Sequence, residues 1–140
     1  MTHKEKLHQA ADLLRKVTGR ATPGPWALIE GFRGGHDVIV STSLSVDGRD
    51  AEVLEVQHYS QRPDARWITL VHPGLAGPLA DLLEHVADRH FPEKSQTLWD
   101  QRDGLWCTVD DHRWPCPDVQ KALAVAELIL HEKEDWEEEQ

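Results

Sequence analysis

Apolar residues recur at helical spacing near the start of this chain. The apolar positions there are Leu7, Ala10, Ala11, Leu14 and Val17. Steps of three and four residues place them on one face of a helix. Thr2 and Glu5 have the spacing of a capping box, and Gly19 is a typical residue at which such a helix ends. The pattern predicts an amphipathic N-terminal helix.

Two later stretches have the same period. After Pro73 the apolar positions are Leu75, Leu79, Leu82, Leu83 and Val86. They predict a second helix that runs to about His90, with Gly77 and Pro78 tolerated only near its first turn. Pro117 suits the first turn of a last helix. Its inner face would carry Val119, Leu123, Ala126 and Ile129 or Leu130.

Three short runs between the first two helices are rich in β-branched or alternating residues. They are WALIEG (26–31), HDVIVSTS (36–43) and AEVLEVQ (51–57). Turn residues separate them, which predicts a three-stranded antiparallel meander. The glycines of GFRGG (31–35) lack a following Gly-Lys-Ser/Thr, so a hairpin turn explains them better than a phosphate-binding loop.

Two segments are ambiguous from pattern alone. In RPDARWITLV (62–71), Pro63 and Asp64 favour the start of a helix, whereas Trp67, Ile68 and Val71 also suit a buried strand. FPEKSQTLWDQRDGLW (91–106) is predicted to be a loop that includes a strand.

The elements together predict an α+β fold, in which a small antiparallel meander sheet packs against three to four helices in a single layer. A chain of 140 residues has the length of one domain. We therefore expect a single domain over residues 1–140. Residues 132–140 would form an acidic helix end or tail.

The charge narrows the classes of partner. The formal net charge is −10, and only part of it comes from the acidic end HEKEDWEEEQ (131–140). An acidic body repels a phosphate backbone, which argues against non-specific nucleic-acid binding. No apolar run approaches the roughly 20 residues that span a bilayer, and no signal peptide is evident. We expect a cytoplasmic protein without a membrane partner.

The stretch WCTVDDHRWPCPD (106–118) carries the candidate chemistry, because it contains both cysteines, Cys107 and Cys116. In a reducing compartment two thiols are more often free or metal-bound than joined in a disulfide. Cysteine is also among the residues most often buried, so both could simply pack in the core. These alternatives remain open on the residues alone.

Several motifs together resemble an uncharacterised family, a domain of unknown function found in small proteins of actinobacteria and their phages. The motifs are ATPGPWAL (21–28), DARWITLVHPGLAGPLADLLEH (64–85), CTVDDHRWPCPDVQKALA (107–124) and the acidic EDWEEE (134–139). The resemblance implies a helix where DARWITLV stands. It also implies a structural zinc arrangement, since similar proteins have Cys-x-x-Cys ahead of Trp-Pro-Cys-Pro and a histidine near the end of the preceding helix.

This chain departs from that arrangement at one position. Cys107 and Cys116 match the pattern, but Asp110 stands where the second cysteine would be. Structural zinc takes four tetrahedral ligands and favours thiolate and imidazole. The predicted set is therefore Cys107, Cys116, His112 and His90. Asp110 and His85 are the alternative ligands, and zinc is the one candidate cofactor.

An enzyme is the less favoured hypothesis, and no catalytic residue is assigned. Cys116 at a helix start with His112 as base could form a nucleophile, but the neighbouring Asp110, Asp111 and Asp118 would raise the pKa of the thiol. The preferred hypothesis is a non-catalytic accessory or regulatory binding module of the phage-like type that the resemblance implies. A small zinc-stabilised domain is the first alternative, and a cysteine- or metal-dependent enzyme is the second.

The partner is a protein or small molecule that the sequence does not identify. Six tryptophans accompany a single tyrosine, and Trp99 and Trp136 lie in polar surroundings. Exposed aromatic residues often mark contact surfaces, so a homodimer is also predicted.

Overall fold

In the computed structural model of this protein, the described residues are 1–32, 35–46, 49–56, 62–94 and 104–138; the side chains of residues 32, 46, 49 and 132–138 are not described. Their elements, in chain order, are helix α1 (His3–Thr18), strands β1 (Trp26–Phe32), β2 (His36–Val46) and β3 (Arg49–Val56), helix α2 (Arg62–Leu70), a 3-10 turn (Pro73–Leu75), helix α3 (Ala76–Arg89), strands β4 (Pro92–Lys94) and β5 (Leu105–Cys107), and helix α4 (Pro117–Glu138).

The elements group into two compact units. We call residues Lys16–Pro78 the sheet unit, and Met1–Arg15 with Leu79–Gln140 the helical unit. The α+β class with an antiparallel meander is confirmed. The single-domain assignment stays a prediction, and each unit is described by itself below.

In the sheet unit, β1, β2 and β3 lie side by side in that order and pair antiparallel. Helix α2 packs on β1 and β2. The buried core of this unit comprises Ile39, Val56 and Ala65. The ambiguous segment is thus a helix, as the resemblance implies, because Ala65 supplies the buried contact while Trp67 and Leu70 stay exposed.

A buried carboxylate ties α2 to the meander. Asp37 on β2 is 2% exposed, and Arg62 at the start of α2 donates two hydrogen bonds to it. The backbone N–H of Gly31 donates a third, at 2.9 Å. Arg62 and Gly31 together hold the pKa of Asp37 below its ordinary value. The pairing offsets the cost of burying the charge.

The TPGPW loop (22–26) is fixed by hydrogen bonds to its carbonyl groups. Three consecutive hydroxyl groups of β2 donate them, from Ser41 to Pro23, from Thr42 to Pro25 and from Ser43 to Gly24. His72 lies against this loop. A Cβ atom at Gly24 would fall 2.3 Å from Nδ1 of His72, so any larger residue there would force the His72 side chain to move.

Helices α1, α3 and α4 of the helical unit share one apolar core. Its buried members are Leu7, Ala10, Ala11, Ala80, Leu83, Ala87, Ala122 and Ala126. The capping box at the start of α1 is confirmed, because Glu5 N donates to Thr2 Oγ1 and Thr2 N donates to Glu5 Oε2. Val17 and Leu82 were expected on the apolar faces of their helices but are 42% and 58% exposed.

A small hairpin and the last helix complete the helical unit. Strands β4 and β5 pair antiparallel over three residues each. The segment 91–106, predicted to be a loop that includes a strand, contains β4 and the start of β5, and residues 95–103 between them lie outside the described residues. Helix α4 begins at Pro117 as predicted.

Among the described residues, no helix is long and apolar enough to cross a membrane. Trp99 and the side chain of Trp136 lie outside the described part of the chain. The predicted homodimer therefore stays a prediction.

Candidate metal site

The first part of the site is the turn that follows β5. The backbone N–H of Cys107 donates to the carbonyl of His112 at 2.8 Å, and Trp106 forms an antiparallel bridge with Arg113. These contacts close a tight loop over residues 108–111. Asp111 has φ 54°, a left-handed conformation that aspartate tolerates better than most residues. The loop brings the side chain of Asp110 back beside Cys107.

Cys116 caps helix α4. Its carbonyl accepts the first helical hydrogen bond, from Gln120 N at 2.9 Å. Pro117 occupies the first helical position, where the missing N–H costs nothing. The start of the last helix thus fixes one sulfur.

His90 is the first residue after α3. Its backbone N–H still donates to Val86 at 3.1 Å, so the residue is held by the last turn of that helix. Only 8% of His90 is exposed. Three segments that are separate in sequence, the end of α3, the turn after β5 and the start of α4, therefore meet at one place.

Four potential ligand atoms converge there. One atom each from His90, Cys107, Asp110 and Cys116 lies within 4.8 Å of every other. The Nδ1 atom of His90 is 3.4 Å from the Cys107 sulfur, 3.3 Å from the Cys116 sulfur and 3.3 Å from Oδ2 of Asp110. The His90 nitrogen therefore stands at one corner of a group of four donors.

The distances from Nδ1 are compatible with four ligands around a tetrahedral ion. One ring nitrogen carries at most one hydrogen, so Nδ1 can serve only one of its three neighbours as a donor. Ligands at the usual zinc bond lengths and tetrahedral angles stand about 3.4 to 3.8 Å apart. The three distances from Nδ1 are close to that range. The donor set of one imidazole, two thiols and one carboxylate also fits zinc.

Burial at this site disfavours the charged, thiolate form of the cysteines when no cation is bound. Cys116 is fully buried and Cys107 is 5% exposed. Burial, with smaller contributions from Asp110 and Cys107, raises the pKa of the Cys116 thiol to about 12, although the Val119 N–H opposes the rise. A divalent cation would stabilise the thiolate that burial disfavours.

The structure brings together three of the four ligands predicted from sequence, His90, Cys107 and Cys116. Asp110, predicted as an alternative, is the fourth member. His112 is exposed, and its Nδ1 lies 2.8 Å from the carbonyl oxygen of Asp110. It does not belong to the group. His85, the other alternative, is an exposed residue of α3 and is also outside it.

The sequence does contain a signal that favours Asp110 over His112. Asp110 occupies the second position of the Cys-x-x-Cys spacing that begins at Cys107. With that spacing, the turn can bring the side chain of Asp110 back beside the side chain of Cys107. His112 lies two residues further, where the chain already pairs with Cys107 through its backbone carbonyl.

The nucleophile hypothesis receives no support from this geometry. A reactive cysteine needs an accessible sulfur and a lowered pKa. Cys116 is 0% exposed and its pKa is raised. His112, the base considered for it, is not among the residues grouped around its sulfur.

Comparisons with known proteins add no relative: no protein-family model, no curated protein and no solved structure matches this chain.

Proposed function

We propose that this chain is a small zinc-stabilised protein, in which His90, Cys107, Asp110 and Cys116 bind one Zn²⁺ ion with a structural role. The observation that carries the proposal is the convergence of these four ligand atoms within 4.8 Å. Zinc would supply a tetrahedral centre whose two positive charges offset most of the three negative charges of two thiolates and a carboxylate. The fold of the chain fixes the positions of the four ligand side chains.

A structural role follows from the closed ligand set. Catalytic zinc sites keep one coordination position open for water or substrate, whereas structural sites fill all four with protein groups. Four candidate ligands converge here, and three of them are buried. Asp110 is the partial exception, with 19% of its side chain exposed.

The elements joined at the site need such a link. Strands β4 and β5 have three residues each, and an isolated two-stranded hairpin of this size is marginally stable in water. The buried contacts beside the site are Cys107, Cys116 and Val119. A bound ion would link three parts of the chain: the end of α3, the turn after β5 and the start of α4.

The biological role that we propose is non-catalytic. A metal that fixes a fold leaves function to the surface of the protein. An accessory binding module of the phage-like type is consistent with the motif resemblance in residues 21–28, 64–85 and 107–124. The partner and the family both remain part of the proposal.

Metal analysis of the purified protein tests the site. We expect about one zinc per chain, and we expect a metal chelator to lower the melting temperature because binding free energy contributes to folding. Protein without stoichiometric zinc whose melting temperature is unchanged by chelator, even after refolding with Zn²⁺, would contradict the proposal.

Cobalt substitution identifies the ligands. Co²⁺ in a tetrahedral site with two thiolates should give intense visible bands and sulfur-to-metal charge-transfer absorption. Cys107→Ser and Cys116→Ser should each weaken the charge-transfer band. His85→Ala, at an exposed position of α3, is the matched control and should leave the spectrum unchanged. An unchanged spectrum in both cysteine variants would exclude this site.

A further inference from the structure

A cavity of about 250 Å³ lies in the helical unit, directly beside the candidate metal site. Among the residues that line it are His3, Lys4, His90, Phe91, Pro92 and Trp114. His90 therefore belongs both to the four-ligand group and to the wall of this cavity. The cavity plays no part in the proposed structural role of zinc.

His90 contributes to both the four-ligand group and the cavity wall. Its Nδ1 lies beside the two sulfurs and Asp110, and the residue is among those that line the cavity. Only 8% of the surface of His90 is exposed. Within the described ranges, Nε2 has no hydrogen-bond or ion-pair partner. A histidine that binds a metal almost always donates its second ring N–H to a carboxylate, a carbonyl or water.

The walls define the chemistry of a ligand. Phe91, Pro92 and Trp114 supply apolar surface, and the rings of His3 and Trp114 lie 5.7 Å apart on one side. None of the lining residues is acidic, although the chain has 25 aspartates and glutamates. Lys4 adds a positive charge at the rim, where its ammonium lies 3.0 Å from Asp88 and retains two further donors.

We propose that this cavity binds a small aromatic carboxylate, whose carboxylate group accepts a hydrogen bond from Nε2–H of His90. The inference rests on the proposed zinc site, because a metal on Nδ1 fixes the ring hydrogen on Nε2 and makes it a donor. The aromatic ring of the ligand packs against Phe91 and Trp114. Lys4 favours the negative charge.

The size of the cavity limits the ligand to about one ring with a short acid group. Binding sites for drug-sized molecules usually measure about 300 to 1,000 Å³, so this cavity suits a smaller compound. For a probe of that size we expect a dissociation constant of roughly 0.1 to 1 mM. The affinity is sufficient for detection by NMR.

Benzoate is the probe, and benzyl alcohol is its uncharged control. Both are titrated into zinc-loaded protein labelled with ¹⁵N-histidine, after metal analysis of the same sample. Benzoate should shift the Nε2–H signal of His90 with saturation, and benzyl alcohol should not. Signals of the exposed His85 and His112 serve as internal references.

A pair of charge reversals on α1 locates the binding. Lys4→Glu should weaken benzoate binding by about fivefold, since it replaces attraction at the rim by repulsion. Lys6→Glu is the matched control, because Lys6 lies on the same helix, pairs with Glu127 and is not among the lining residues. Circular dichroism verifies that both variants remain folded.

The outcomes separate the two proposals. Saturable benzoate binding that shifts the His90 signal and is weakened only by Lys4→Glu supports the inference. Protein that holds zinc but shows no benzoate binding at 10 mM, roughly ten times the weakest expected constant, overturns the inference and leaves the zinc site intact. Protein that binds no zinc overturns both, because His90 then lacks the fixed donor on which the carboxylate depends.

Discussion

Oδ2 of Asp110 lies 3.3 Å from Nδ1 of His90, so a carboxylate stands where the Cys-x-x-Cys spacing would place a sulfur. The two side chains come from different segments, the turn after β5 and the end of α3. An Asp110 ligand keeps the total charge that a thiolate would bring. It changes the strength of the bond to the metal, because zinc in structural sites favours sulfur over carboxylate oxygen.

The zinc affinity should therefore depend on the residue at position 110. We expect Asp110→Cys to raise the affinity by about tenfold or more and Asp110→Ala to lower it on the order of tenfold, since one restores a thiolate and the other removes a ligand. Competition with a chromophoric chelator measures both constants.

The matched control for this series is Asp111→Asn. Residue 111 is exposed and has φ 54°, a conformation that asparagine also tolerates. This variant should bind zinc as tightly as the unsubstituted protein. Equal affinities for Asp110→Cys and Asp110→Ala would remove Asp110 from the site.

Substitutions of His90 and His112 test which of these two histidines is a zinc ligand. His90→Ala should abolish stoichiometric zinc binding, whereas His112→Ala should retain it, because only His90 lies among the converging ligand atoms. Metal content after gel filtration gives the answer directly. Loss of zinc from His112→Ala with retention in His90→Ala would restore the ligand set predicted from sequence alone.

The helical core offers a stability test on adjacent residues. Leu83 is 1% exposed, and its neighbour Leu82 is 58% exposed. Leu83→Ala should lower the free energy of unfolding by about 3 kcal/mol, since it removes buried methyl groups and leaves a cavity. Leu82→Ala should change it by about 0.5 kcal/mol or less. Urea unfolding curves compare the two, and similar losses would contradict the assigned packing of α3.

The sheet unit should lose stability in acid through Asp37. Its folded-state pKa is lowered by Arg62 and by the Gly31 N–H, so this carboxylate stabilises the fold at pH above its unfolded value of about 3.9. That contribution is lost as the pH falls through the folded-state pKa. Asp37→Asn should lower the melting temperature near neutral pH and reduce its dependence on acid. Glu52→Gln, at an exposed position of β3, should show the normal acid dependence.

Local patterns predicted most of the elements for physical reasons that are visible in particular residues. The capping box of Thr2 and Glu5 forms within four residues, and its two hydrogen bonds depend on no distant part of the chain. The start of α4 at Pro117 is similarly local. The segment 62–71 was ambiguous because its helix is short and exposes Trp67, which periodicity alone does not distinguish from a strand.

By itself the sequence determined the helices α1, α3 and α4 and the three-stranded meander, because these patterns depend on neighbours along the chain. Only the tertiary structure decided which side chains converge. Asp110 joins His90, Cys107 and Cys116, while His112 lies outside this group, because the turn after β5 and the two helix ends set the positions of the side chains. The same folding makes His90 part of the wall of a cavity, a relation between distant segments that no spacing in the sequence encodes.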